Sequence, residues 1–113
     1  MQYLLIMAHD DSFRSDPELV NSIFEWIEEQ TEAGIRIMGA PLMPPDNAKT
    51  ITTLNGSLAV SNAPFTTGPL HTAAFELIQC DDIDSAVAIA STHPMAERAT
   101  IEVRPVWAAL QQE

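Results

Sequence analysis

The dipeptide Asn55-Gly56 separates two short runs of strand character, Thr50-Ile51-Thr52-Thr53-Leu54 and Ser57-Leu58-Ala59-Val60-Ser61. Asn and Gly both accept the positive φ that a two-residue hairpin turn needs at its two centres, so this stretch predicts a tight antiparallel hairpin in mid-chain. Helices are then confined to either side of it. The first is predicted between Asp16 and Gly34, with Asp16 as N-cap, Pro17 at the first helical position and Gly34 as the C-terminal stop. Within it Val20, Ile23, Phe24 and Ile27 recur at helical spacing, while Glu25, Glu28, Glu29 and Glu32 take the other faces. A second helix is capped by Asp82, runs through Ala86, Val87 and Ala90, and stops at His93-Pro94, because the residue before a proline is pushed out of the α region.

The remaining segments read as strands and loops. Tyr3 to Met7 is an unbroken apolar run suited to a central strand. Ile35 to Gly39 is a short strand leading into turns at Pro41, Pro44 and Pro45, and Thr72 to Ile78 resumes strand character. Asn62 to Pro69 holds two prolines and a glycine and is an ordered loop. Thr100 to Val106 alternates as a last strand, with Pro105 demanding an edge or an end. The resulting order is β-α-β-β-β-β-α-β, an α+β chain of one domain over residues 1–113. Two β-α-β units around extra strands suggest a split ferredoxin-like sheet.

Composition bounds the partners. A chain of 113 residues supports one core, and a compact fold of this size exposes about 6,000 Å². A hydrophobic fraction of 46% with 19% charged residues excludes a disordered acidic tail, so the net charge of −11 belongs to a folded surface. Such a surface repels phosphate backbones and anionic lipid, which argues against nucleic acid and membrane as partners. The N-terminus lacks a basic region, and its apolar run is too short for a leader or a spanning helix. A single cysteine, Cys80, makes no internal disulfide, and a cytoplasmic setting is expected. Asp81 and Asp82 beside it raise a thiol pKa, so Cys80 reads as an unreactive strand-end residue. Trp26 and Trp107 read as packing residues. Neither metal-ligand spacing nor a glycine-rich phosphate loop is present, so no metal and no cofactor is implied.

Several stretches together resemble a known family: the opening Met1-Gln2-Tyr3-Leu4-Leu5, the loop Ser61-Asn62-Ala63-Pro64-Phe65, and Ile101-Glu102-Val103-Arg104-Pro105-Val106. Ala74-Phe75-Glu76-Leu77-Ile78 is similar to a Gly-Phe-Tyr-Leu-Ile strand, and His93-Pro94-Met95-Ala96 to a Cys/His-Pro-x-Ala turn. In this order and spacing the chain resembles the YCII-related proteins, specifically their DGPF branch, over nearly its whole length. The resemblance implies a ferredoxin-like sheet with two helices that pairs sheet to sheet as a dimeric α/β-barrel, with a small cleft in each subunit. A homodimer is also expected on physical grounds, since two helices leave one face of a six-stranded sheet uncovered. The sequence departs from the family where Asp-Gly-Pro-Phe becomes Asn62-Ala63-Pro64-Phe65 and a Lys-Glu pair becomes Pro69-Leu70. Asparagine does not titrate near neutrality, so a general base at position 62 fails.

Three histidines remain for acid-base work: His9 at the end of the first strand, His71 just before the Phe75 strand, and His93 after the second helix. His71 follows the altered loop and is the local replacement for its lost carboxylate, while Asp10 and Asp11 stand ready to orient His9. Blander readings compete: a solvated loop for His9, a partly exposed sheet residue for His71, and for His93 a protonated imidazole at a helix C-terminus. If the Asn62–Phe65 loop lines the cleft, Asn62 and Phe65 touch the ligand, with His93 and Arg104 as further contacts. Arg104 has a second reading as a structural partner of Glu102, two residues away on the same strand face. Two functions follow: a small acid-base enzyme acting on a small anionic or carbonyl compound, with His71 or His9 moving the proton, or a small-ligand-binding or accessory dimeric module.

Overall fold

The computed structural model describes residues 1–110 of the chain. Its elements are β1 (Gln2–His9), α1 (Pro17–Glu32), β2 (Arg36–Pro41), β3 (Thr50–Leu54), β4 (Ser57–Ser61), β5 (His71–Gln79), α2 (Ile83–Ser91) and β6 (Thr100–Pro105), with short 3-10 turns at Pro45–Asn47, Pro94–Glu97 and Ala108–Leu110. This is the order expected from the sequence, and the signals that set it are local. The Asp16 carboxylate accepts the Leu19 N–H at 2.8 Å and so satisfies an orphan donor at the start of α1. Asp82 does the same for Ser85 N–H, also at 2.8 Å, at the start of α2. Asn55 and Gly56 have φ of 51° and 82°, the torsions of the predicted hairpin turn.

The expectation of one six-stranded sheet is corrected. Four strands form an antiparallel sheet in the order β2-β5-β1-β6, the ferredoxin-like arrangement, while β3 and β4 pair only with each other. The physical reason lies in the connections. The edge strand β2 ends in Pro41 and is followed by Pro44 and Pro45, which lack the N–H donors a ladder would need to continue into the hairpin. The hairpin therefore stands off as an arm, with Ile51, Leu58 and Val60 exposed. The radius of gyration is 16.0 Å, against about 13 Å for a compact chain of this length.

Both helices pack on the same side of the four-stranded sheet. Tyr3, Leu5 and Met7 of β1 and Ile78 of β5 meet Leu19 and Trp26 of α1, Ala86 and Ala90 of α2, and Met95. The core stripe of α1 differs from the predicted one: Leu19 and Trp26 are buried, whereas Val20 and Phe24 are exposed. Trp26 packs as expected, its Nε1 donating to Thr92 Oγ1 at 2.9 Å, but Trp107 is exposed and is not a packing residue. Cys80 has its thiol pKa pushed up chiefly by burial, with Asp82 and Asp81 adding to the effect.

Among the described residues, neither α1 nor α2 covers the other side of the sheet. Alternation along the strands places Leu4, Ile6, Phe75, Leu77 and Met38 there, together with Thr100, Glu102 and Arg104 of β6. Edge position explains why β6 tolerates Pro105.

Candidate functional site

The pairing of β1 with β5 contains one irregularity. Met7 lies opposite Ala74, but Ala8 lies opposite Thr72 and His9 opposite His71, so Ala73 is an extra residue in β5. A bulge of this kind shifts everything beyond it by one position and re-aims the side chains. Without it His9 would face Thr72. With it, the two imidazoles meet edge to face, with ring centroids 4.9 Å apart.

Each ring is further held. His9 stacks on Phe13 at 4.2 Å and 14°, and its Nδ1 lies 2.9 Å from the Asp10 carbonyl oxygen. A carbonyl only accepts, so Nδ1 carries the proton and Nε2 of the neutral ring carries the lone pair. The Nε2 of His71 lies 3.4 Å from the fully exposed Asp11 carboxylate. Its Nδ1 is sealed from solvent and has no hydrogen-bond partner among the described residues. Asp10 itself is drawn below the usual carboxylate range by the hydrogen bonds it accepts from Ser12.

The histidine pair sits between two hollows. His9 lines the larger, a cleft of about 590 Å³ between α1 and the sheet whose walls include Phe13, Val20, Ile23, Ile27, Leu42 and Met95. Besides His9, four polar side chains interrupt that apolar wall: Ser15, Arg36, Glu76 and His93. His71 lines the smaller hollow, about 290 Å³, together with Lys49, Phe65 and the Leu42–Pro45 segment.

The structure thus brings His9 and His71 into contact and leaves the other candidates dispersed. Phe65 is 82% exposed at the rim of the smaller hollow. Asn62 lies beside that hollow, its Oδ1 accepting from Lys49 Nζ at 2.6 Å. His93 is buried against Trp26, rings 4.6 Å apart, and belongs to the wall of the large cleft. It does cap, though not as a cation at the end of α2. Its Nδ1 accepts the Met95 N–H at 3.0 Å and opens the following 3-10 turn, and burial lowers its pKa to about 4, so the ring is neutral. Arg104 borders neither hollow. It lies opposite Leu4 on the helix-free face and pairs with Glu102 at 2.7 Å.

Sequence reasoning passed over Glu76 and Arg36. Glu76 lies opposite Leu5 on the core side of β5, buried, with its Oε2 accepting from Arg36 Nε at 2.5 Å. Burial pushes the Glu76 carboxyl above its ordinary pKa, and Arg36 pulls it back. Gly39 faces Glu76 across the β2–β5 ladder, and a Cβ there would collide with that carboxylate and stand 2.6 Å from the Phe75 carbonyl oxygen. The legible signal was alternation: Glu76 falls in phase with Ala74 and Ile78, and a carboxylate at a core position demands a buried counter-charge.

Among the described residues no group of three or more ligating side chains is placed to hold a metal ion, and no helix is long and apolar enough to cross a membrane. Comparison with known families then identifies the domain. Residues 1–109 match the YCII-related domain, and the chain belongs to that family. No curated protein matches it.

Proposed function

We propose that this member of the YCII-related family is a small acid-base enzyme in which His9 moves a proton on a small carbonyl compound seated in the cleft beneath α1. One observation carries the reading. With Nδ1 committed to the Asp10 carbonyl, Nε2 of His9 keeps a lone pair, and no protein group among the described residues occupies it at the wall of an apolar cleft. A neutral imidazole so held takes a proton from the carbon beside a carbonyl and returns it to another atom of the same compound, which is an isomerisation. His71, backed by Asp11, is the positioning group, since its ring fixes the edge of His9. A carbonyl compound is preferred to an anion because Glu76 stands in the wall and the chain carries a net charge of −11. Phe65 lines the smaller hollow with His71, Asn62 bonds Lys49 of that lining, and His93 stands in the wall of the large cleft.

The test is exchange of α-protons in D2O across a panel of small ketones, followed by NMR. His9→Gln is expected to lower exchange by about 10²-fold or more, the usual contribution of a general base. Exchange that survives His9→Gln at the wild-type rate overturns the reading. The carboxylate replaced by Asn62 favours a second reading, a binding module without turnover. Exchange at the buffer rate alongside saturable binding supports that one.

The proposal extends to assembly as a sheet-to-sheet homodimer. Its support is surface. The chain exposes 8000 Å², against about 6,000 Å² for a compact monomer of this size. The apolar helix-free face and the hairpin arm account for surplus of the kind a stable interface covers, about 800 Å² per partner. Light scattering at micromolar concentration should give twice the monomer mass, and a monodisperse monomer overturns it. A DGPF-branch placement is supported by the Ser61–Phe65 loop, and a cytoplasmic setting by the lone thiol.

A further inference from the structure

The Arg36–Glu76 pair satisfies only part of the Glu76 carboxylate. Arg36 engages Oε2, and among the described residues Oε1 has no hydrogen-bond partner. Yet Oε1 is not sealed. The unpartnered side-chain atoms cut off from solvent are on His71 and His93, not on Glu76. Since Glu76 is 4% exposed and lines the large cleft, that residual access opens on the cleft. An acceptor oxygen therefore stands in a largely apolar wall with nothing among the described residues donating to it, an arrangement that is costly unless a bound group does so.

We propose that the cleft beneath α1 binds a neutral, largely apolar small molecule bearing a hydroxyl group, which donates to Oε1 of Glu76. Charge balance selects the neutral donor. Arg36 already neutralises Glu76, so an ammonium placed there would add an uncompensated buried charge, and a carboxylate would meet Glu76 directly. Size is consistent, because 590 Å³ falls within the range of about 300–1,000 Å³ that small-molecule sites occupy. The glycine opposite is part of the same construction: any larger residue at position 39 would displace the carboxylate that receives the hydroxyl. Glu76 pairs with Leu5, four residues before His9 on β1, which is about 13 Å along a strand. If His9 acts on a carbonyl, the bound compound is an elongated hydroxy-carbonyl molecule with the two groups at opposite ends. Only that last step rests on the proton-transfer reading.

A matched set of probes tests the proposal: naphthalene, 1-naphthol, 1-naphthoate and 1-naphthylmethylammonium, with binding followed by heteronuclear NMR. In the wild-type chain 1-naphthol should bind about tenfold tighter than naphthalene, as expected for a hydrogen bond to a charged acceptor, and both ions should bind more weakly than 1-naphthol. Replacing Glu76 alone strands Arg36 and endangers folding, so the informative variant removes both, Arg36→Met with Glu76→Leu. There the preference for 1-naphthol over naphthalene should vanish while naphthalene still binds. Equal affinity of the two in the wild type overturns the proposal, as does a preference that persists in the double variant. His9→Gln should leave the hydroxyl preference in place, so loss of proton exchange in that variant bears on His9 and not on Glu76.

Discussion

The two helices lie on one side of the same sheet and meet it in different ways. α2 presents Ala86 and Ala90, both buried, and side chains this small let its backbone settle close to the strands. α1 buries Leu19 and Trp26 in the core, with Ile23 and Ile27 half-buried against it, and its Leu19, Val20, Ile23, Phe24 and Ile27 border a cleft of about 590 Å³. Beside α2 the sheet offers Ile101 and Val103, which border a smaller apolar hollow of about 420 Å³, and beneath the hollow part of α1 it offers Arg36 and Glu76. An ion pair on the sheet surface cannot be covered by apolar side chains without cost, and large residues around it frame a space instead of filling it. Both helices thus border hollows, but the one beside α2 is apolar and the larger one beneath α1 has an ion pair in its wall.

That contrast predicts unequal costs for the same kind of truncation. Leu5→Ala, at a fully buried position of β1, should destabilise by about 4 kcal/mol, the transfer and cavity loss of a core leucine. Phe24→Ala removes a larger side chain, but one that is 63% exposed, and should cost less than about 1 kcal/mol. Urea unfolding of both variants decides. Equal losses would mean that Phe24 of α1 is packed as tightly as the core of β1.

The neutral His93 makes stability depend on pH. Its pKa is lowered from 6.5 to about 4 in the folded chain, so between those values the unfolded chain binds more protons than the folded one. Stability is therefore fully present above pH 6.5 and falls as the pH drops toward 4, by roughly 3 kcal/mol in all. His93→Asn keeps a side-chain acceptor for the Met95 N–H and removes the titration. Thermal unfolding from pH 7 to pH 4 should fall less steeply for this variant than for the wild type. Parallel slopes would show that the ring is not held neutral.

A smaller loss is expected where the cleft floor depends on a missing side chain. Gly39→Ala places a methyl against the Glu76 carboxylate and the Phe75 carbonyl, and the backbone neighbour has little freedom to give. A cost of about 2 kcal/mol, read from the urea midpoint, is the expected price of overpacking. An unchanged midpoint would mean that the edge strand β2 gives way freely against β5, and the comparison between the two hollows would lose its basis.

Much of this molecule follows from contacts made within a few residues. Asp16 reaches Leu19 and Asp82 reaches Ser85, each three residues on, and Asn55-Gly56 makes its turn between adjacent torsions. These are short-range hydrogen bonds and steric preferences, and they are legible because no distant partner is needed to form them. Hence the order of eight elements and both helix starts were readable, and so was the edge position of β6 from Pro105. The phase of α1 was less legible, since Val20 and Phe24 are as apolar as Leu19 and Trp26, and only the placement of the sheet separates lining residues from core.

The site belongs to longer-range pairing. A single extra residue in β5, Ala73, sets His9 opposite His71, and neither sequence segment announces a bulge. Glu76 finds Arg36 across 40 residues of chain, and Arg104 is turned to the helix-free face by its register against Leu4. Strand register alternates faces every residue, so a shift of one position exchanges what is buried for what is exposed. The element order and the capped helix starts were thus settled by composition and local spacing. Which histidines meet, which carboxylate is buried, and where the hollow lies were settled by the register of the assembled sheet, because those contacts exist only once distant strands have paired.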